Sequence, residues 1–247
     1  MRRFYISPEN ITKEMPILTG SDAVHIAQVL RYKTGDIITL FDGSGTEYKA
    51  KILQLSPSRV QVSILHHRIA DKELPIYITI AQGFLKEKKM DRVVRQLSEI
   101  GVYQWIPFQA SRSVVRLNAK RLDLRIERWE KIAVEAAKQC GRNRLMSIEP
   151  VASFSQVLDR YTEFDQGLIF WEKETDGLKK VPPKADIQPG SRIIILLGPE
   201  GGFDPTEIQA AKEKGFVTAG LGPRILRAET AAVAAGALVQ FIFGDMG

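Results

Sequence analysis

Apolar and polar positions alternate with a period of two through the first 70 residues, the signature of half-buried strands. Arg3–Ile6, Asp36–Phe41, Thr46–Leu55 and Arg59–Leu65 read as strands, with turns at Asp42-Gly43-Ser44-Gly45 and Ser56-Pro57-Ser58. One short helix interrupts them, with Ser21 as its cap and Ala23, Ile26, Ala27 and Leu30 on one face. The pattern implies a small β-barrel. His66–Pro75 is polar and closes on a proline, which places a domain boundary there and gives domains over 1–70 and 75–247.

From Pro75 the rhythm changes to strands alternating with longer helices, the texture of an α/β layer. Pro75–Gln82, Tyr103–Pro107, Gly167–Trp171 and Ile193–Leu196 read as strands. Lys86–Ile100 reads as a helix ended by Gly101, Leu122–Cys140 as a long one ended by Gly141, and a third lies near Phe154–Tyr161. Thr175–Pro189, rich in Lys and Pro, is expected to be an exposed loop. Asp204-Pro205-Thr206-Glu207 combines an acidic N-cap, proline at the first helical position and glutamate at the third, so a helix starts there. The last helix, Ala228–Phe243, is almost wholly small or apolar and needs cover on every side, from its own chain or a second subunit.

Composition narrows the class. Hydrophobic residues make up 44% and charged residues 26%, ordinary for a folded domain, and no apolar run approaches the roughly 18 residues of a membrane span. Met1-Arg2-Arg3 reaches Pro8 and Glu9 too soon for a signal-peptide core, so a cytoplasmic protein is expected. A single Cys140 and three histidines argue against a disulfide or a structural metal, and Cys140 reads as a packed small residue rather than a nucleophile. The net charge of +6 is unevenly placed: residues 75–150 carry 15 Lys and Arg against 8 Asp and Glu. That excess suits a polyanion such as nucleic acid, or simply solvated helix faces. Lys86, Lys88, Lys89, Arg92, Arg95 and Arg112 lie in it, as do Arg142 and Arg144 in Gln139-Cys140-Gly141-Arg142-Asn143-Arg144 on an exposed loop. The two arginines would clamp phosphates or answer the helix dipole. Arg31, after the small helix, is a further candidate.

The candidate chemistry sits on two glycine loops. Leu197-Gly198-Pro199-Glu200-Gly201-Gly202-Phe203 follows the strand at Ile193–Leu196, and Leu221-Gly222-Pro223-Arg224-Ile225-Leu226-Arg227 precedes the last helix. Neither has the residues of a P-loop or a dinucleotide fingerprint, so phosphate is not the obvious ligand. Gly and Pro would let backbone groups approach a flat heterocycle, with Leu197, Leu221, Ile225 and Leu226 as apolar lining. Either loop alone is an ordinary strand-to-helix turn; two of them ending neighbouring strands frame one site. Glu229 and Thr230 open the last helix in a position to cap it, and Glu229 is equally a dipole partner or a ligand contact.

Together with Glu135-Ala136-Ala137-Lys138-Gln139-Cys140-Gly141-Arg142 and His25 through Val29-Leu30-Arg31, these loops closely resemble the bacterial small-subunit ribosomal RNA uridine-N3 methyltransferases of the SPOUT superfamily. The resemblance spans nearly the whole chain. It implies an α/β methyltransferase domain with a deep trefoil knot over 75–247, preceded by a PUA-like RNA-binding β-barrel over 1–70. It implies S-adenosylmethionine as cofactor, bound by Phe170, Glu172, Leu197, Gly198, Pro199, Glu200, Gly201, Gly202, Leu221, Gly222, Ile225, Leu226 and Thr230. It further implies a homodimer acting on small-subunit ribosomal RNA or the assembling 30S subunit, with no membrane or metal partner. In that setting Arg227 is the candidate for stabilising a uridine anion, Arg224 an alternative, and Glu229 the candidate base, ahead of Glu200 or water. Arg31, Lys86, Lys89, Arg92, Arg112, Arg142 and Arg144 are the candidate RNA contacts. A transfer-RNA methyltransferase of the same superfamily and a non-catalytic RNA-binding protein are the alternatives.

Overall fold

The computed structural model of the chain describes residues 3–69, 76–86, 88–113, 119–180 and 187–246. They form two compact units: 1–73 with 134–145, and 74–133 with 146–247.

The first unit holds β1 (Arg3–Tyr5), α1 (Pro8–Ile11), β2 (Ile17–Thr19), α2 (Gly20–Val24), β3 (Ile37–Phe41), β4 (Thr46–Ser56) and β5 (Arg59–Ile69). They make a five-stranded sheet in the order β1-β3-β4-β5-β2, parallel between β1 and β3 and antiparallel elsewhere. Its core is built from alternate positions, Ile38 and Leu40, Ala50 and Ile52, Val60 and Val62, closed by Phe4, Leu18, Ala23 and Ile26. The period-two pattern therefore reports real sidedness. Two readings change. The short helix is capped at Thr19 rather than Ser21 and continues from His25 to Val29 as a π-helix. His66–Ile69 completes β5 instead of opening a linker, because it pairs with Thr46–Lys49; 70–75, the remainder of the expected boundary, lies outside the described residues.

The second unit contains β6 (Tyr77–Gly83), α3 (Lys89–Glu99), β7 (Gln104–Gln109), α4 (Ala119–Cys140), β8 (Ser147–Ile148), β9 (Ala152–Ser153), α5 (Phe154–Asp159), β10 (Gln166–Phe170), β11 (Arg192–Leu197), α6 (Pro205–Lys214), β12 (Val217–Ala219) and α7 (Ala228–Phe243). The last turns of α4 belong to the first unit. There the Arg3 guanidinium donates to the Gly141 carbonyl, and the Gly45 amide donates to Asn143 O at 3.2 Å, so 141–145 is strapped along the 42–45 turn. Arg142 and Arg144 are accordingly half-buried, not on an open loop, and Arg144 bridges to Gly43 and Ser44. Cys140, by contrast, is exposed, since the helix ends with that face outward. Of the expected loop over 175–189, Leu178–Lys180 is a short 3-10 turn and 181–186 lies outside the described residues.

Every strand pair of the second sheet is parallel, in the order β12-β10-β11-β6-β7-β8, with β9 also on β7. Helices cover both faces, which is why β6, β10 and β11 read as continuous apolar runs rather than alternating ones. On one face Ile78, Ile80, Ile193 and Ile195 meet α3, α4 and α7 residues including Val93, Leu97, Trp129, Ala232 and Val239. On the other, Ile106, Ile169, Ile194 and Leu196 meet Val157, Leu158, Ile208 and Ala211 of α5 and α6. The α6 start is the expected capping box: Asp204 accepts from the Thr206 amide at 3.0 Å and Glu207 from the Asp204 amide at 2.9 Å.

Trp129 anchors the first layer. It stands edge-on to Trp105 at 5.0 Å between ring centroids, and its indole N–H donates to Asp91 Oδ1 at 3.2 Å. Trp129→Ala should lose about 3–5 kcal/mol in urea denaturation, and Trp129→Phe, which keeps most of the volume, distinctly less. Equal losses would mean that the ring packing contributes little.

Candidate active site

Three neighbouring parallel strands, β12, β10 and β11, end at one edge of the second sheet, and their C-terminal loops enclose a cavity of about 770 Å³. Ligands in open α/β sheets bind at such edges, outside the carboxyl ends of the strands. The expectation that the two glycine loops end adjacent strands is corrected here: β10 lies between β11 and β12 and pairs with both. A third loop, 170–175, therefore joins the wall.

Leu197–Phe203, Phe170–Glu172, Leu221–Ala228, Glu174, Thr175, Ala231 and Lys89 line the cavity. The structure thus gathers Phe170, Glu172, Leu197, Gly198, Pro199, Glu200, Gly201, Gly202, Leu221, Gly222, Ile225, Leu226 and Arg227 around one space. Thr230 is exposed and outside the lining, and Glu229 is buried. Neither caps α7: Arg227 takes the extended N-cap conformation without a side-chain cap, so the helix begins at Ala228 and Glu229 is its second residue.

The glycine loop is fixed on several sides. Gln82, fully buried at the end of β6, donates from Nε2 to the carbonyls of Gly83 and Gly198 at 3.1 and 3.0 Å. A Cβ on Gly83 would come within 2.8 Å of Pro199, so the two backbones touch only because residue 83 has none. Gly202 has φ +67°, and a Cβ there would stand 2.8 Å from a Glu172 carboxylate oxygen. Glu200 Oε1 accepts from the Lys86 amide at 2.9 Å and from Lys89 Nζ at 3.0 Å, and Lys89 Nζ lies 3.7 Å from Glu229 Oε2. Arg112 holds the far side, donating to Asp204 Oδ2 at 2.9 Å and to Gly201 O at 3.4 Å.

Burial pushes the Glu200 carboxyl up, but the Lys86 amide and the Lys89 ammonium outweigh it and hold it below the usual carboxylate range. The hydrogen bond to Glu200 raises Lys89 in turn. A depressed acid stabilises the fold above its unfolded value and loses that contribution as pH falls through the folded one, so this link is intact at neutral pH and weakens in acid. The Thr218 hydroxyl, 2.7 Å away, chiefly depresses Glu174, tying the 170–175 loop to β12.

Among the other expected RNA contacts, Lys86, Arg92 and Arg112 are exposed in the second unit, and Arg31 is exposed in the first with φ 55°, just past the π-helix. Sequence reasoning missed Gln82, Glu174 and Thr175. For the last two a signal existed, since they follow Glu172 on the same loop. Gln82 had none, because a lone glutamine at a strand end is not distinctive.

The comparisons with known proteins converge. A family model described as an RNA methyltransferase domain matches residues 72–240, and one described as an RNA methyltransferase PUA domain matches 18–65. Over 239 residues the chain is 36% identical to ribosomal RNA small subunit methyltransferase E of Bacillus subtilis, covering 94% of this chain and 93% of that one. The protein of the same name from Buchnera aphidicola is 30% identical over 98% of this chain and 94% of its own. The crystal structure of a ribosomal RNA small subunit methyltransferase E from Neisseria gonorrhoeae bound to S-adenosyl methionine aligns with a TM-score of 0.86 and 33% identity, over 100% of both chains. Identity that runs through both units, and is not confined to the glycine loops, makes the chain a member of the ribosomal RNA small subunit methyltransferase E family.

Proposed function

We propose that the protein transfers a methyl group from S-adenosylmethionine to N3 of a uridine in small-subunit ribosomal RNA, in the cytoplasm and as a homodimer. The observation that carries this reading is the cavity itself: three loops at one sheet edge, walled by backbone of Gly198–Gly202 and Leu221–Leu226, in a chain of this family. Its volume, about 770 Å³, suits a cofactor-sized ligand, and the cradle at Gly202 is one that a Cβ would fill. Leu197, Leu221, Leu226 and Phe170 would take the apolar faces of the ligand, and the exposed backbone of the glycine loops its polar edges. Thr230, at the start of α7, stands in this reading as an outer contact. The trefoil knot in the 75–247 domain is part of the same proposal and rests on the family resemblance.

The bound cofactor supplies a methyl group activated on a sulfonium. Uridine N3 carries a proton at neutral pH, so the chain has to align N3, help the proton leave and stabilise the anion. Arg227, exposed at the cavity wall with Arg224 as the alternative, would answer negative charge growing on the uracil oxygens. Glu229, at the start of α7 beside Arg227, is the candidate proton acceptor, with Glu200 and water as the alternatives. The first unit, with Arg31, Arg142 and Arg144, and the basic surface of the second, with Lys86, Arg92 and Arg112, supply the RNA contacts. Among the described residues no helix is long and apolar enough to cross a membrane, and no cluster of three or more His, Cys, Asp or Glu is arranged to hold a metal.

The homodimer rests on α7. Its inner side is buried through Ala232, Ala235, Gly236 and Val239, while Leu238, Phe241 and Ile242 remain exposed at 41%, 58% and 39%. A second copy of the chain is the cover that the family resemblance implies.

Nucleoside mass spectrometry on small-subunit RNA from cells with and without the gene should show loss of one 3-methyluridine; unchanged content, or loss of a ribose-methylated nucleoside, overturns the reaction. Arg227→Ala should lower turnover about 100-fold while leaving cofactor affinity nearly unchanged, and the wild-type rate should rise with pH. Gly202→Ala combines a left-handed φ with a clash against Glu172, so calorimetry should show weakened S-adenosylmethionine binding, with the melting temperature lowered by only about 3 °C. Sedimentation equilibrium should give a dimer for the wild-type chain and a monomer for Phe241→Asp; a wild-type monomer at micromolar concentration would remove the dimer from the proposal.

A further inference from the structure

Lys89 is the first residue of α3, a position where the helix dipole disfavours a cation. Two carboxylates from two other elements face it there: Glu200 Oε1 of the glycine loop at 3.0 Å and Glu229 Oε2 of α7 at 3.7 Å. Arg227 is the further charge that acts on it, and opposes it. Glu229 is only 7% exposed and its Oε2 has no hydrogen-bond partner, so without the ammonium a buried carboxylate would be left without a counter-ion. Lys89 and Glu200 both line the cavity. A lysine committed in this way is poorly disposed to bind an RNA phosphate.

We propose that Lys89 is a positioning residue: its ammonium joins Glu200 to Glu229, fixes the glycine loop around the cavity, and keeps its own charge from repelling a cationic ligand. The loop effect follows from entropy, since a loop released from Glu200 must be ordered again when a ligand binds to its backbone. The charge effect follows from the pairing: Lys89 Nζ faces two carboxylates, at 3.0 and 3.7 Å, so its charge is neutralised locally instead of being presented to the ligand. The inference rests on S-adenosylmethionine as the ligand of this cavity. Its demethylated product, S-adenosylhomocysteine, has a neutral sulfur and so reads the loop without the charge.

The test is calorimetry with both ligands on the intact chain, beside RNA affinity as a function of salt. K89M should bind S-adenosylmethionine about tenfold more weakly, the scale of a lost charge-assisted hydrogen bond, and K89R should recover most of it. E200Q, which unmasks the ammonium, should lower affinity for S-adenosylmethionine about threefold more than for S-adenosylhomocysteine. K89M should leave the slope of log RNA affinity against log salt as in the wild type, whereas Arg92→Ala should flatten it by about 1. Unchanged S-adenosylmethionine affinity in K89M, an unchanged ligand ratio in E200Q, or a slope in K89M that falls as in Arg92→Ala overturns the proposal. If K89M does not fold, the ligand ratio in E200Q decides alone. A wild-type chain that gives no heat with either ligand would instead overturn the cofactor reading of the cavity, a distinct result.

Discussion

The parallel register of β12, β10 and β11 is the constraint on which the site depends. Phe170 pairs with Leu197 on one side and with Ala219 on the other, so three strands terminate at one level and their loops leave the sheet together. An antiparallel neighbour would have sent one loop to the opposite edge. Parallel strands need long crossovers, and here α6 provides the one from β11 to β12. The capping box that starts α6 at Asp204 therefore does more than stabilise a helix: it fixes where the glycine loop must end.

Between those ends the loop is held by polar contacts from unrelated parts of the chain. Gln82 grips its first carbonyls from β6, Lys86 and Lys89 grip Glu200 from the start of α3, and Arg112 grips Gly201 and Asp204 from beyond β7. A glycine-rich segment has high conformational freedom, so backbone groups presented to a ligand need such outside restraint to stay in place. Restraint by charged groups has a second consequence. Lys89, Arg112 and the carboxylates of Glu200 and Asp204 are engaged with one another, whereas Arg224 and Arg227 stand exposed at the cavity wall.

Much of this was legible in the sequence where a local rule applies. Alternation located β3 to β5, glycines located the C-terminal ends of α3 and α4, a capping pattern located the start of α6, and α7 was found at its observed limits, Ala228–Phe243. The glycine motifs named most of the cavity wall. What local rules miss is set by distant pairing. β2 is three residues long and exists because it lies against β5. The 134–145 segment continues a helix of the second unit, yet it belongs to the first because Gly43–Gly45 accepts its backbone and side chains. The place of β10 between the two glycine-loop strands is likewise a fact of sheet order that no spacing along the chain encodes.

The last helix joins the two halves of the proposed function. At its start stand Arg227 and Glu229, with Lys89 against the latter; at its far end stand Leu238, Phe241 and Ile242, exposed. Sixteen residues of α-helix span about 24 Å, and a helix whose inner face is packed with Ala232, Ala235 and Val239 moves as a rigid rod rather than bending. In the proposed homodimer each subunit would steady the catalytic end of its partner through this rod without placing a side chain in the partner's cavity. The composition of the helix fits this: small residues on the inner side let it approach α3 and the sheet closely, and in the proposed homodimer the large apolar ones on the outer side meet the partner.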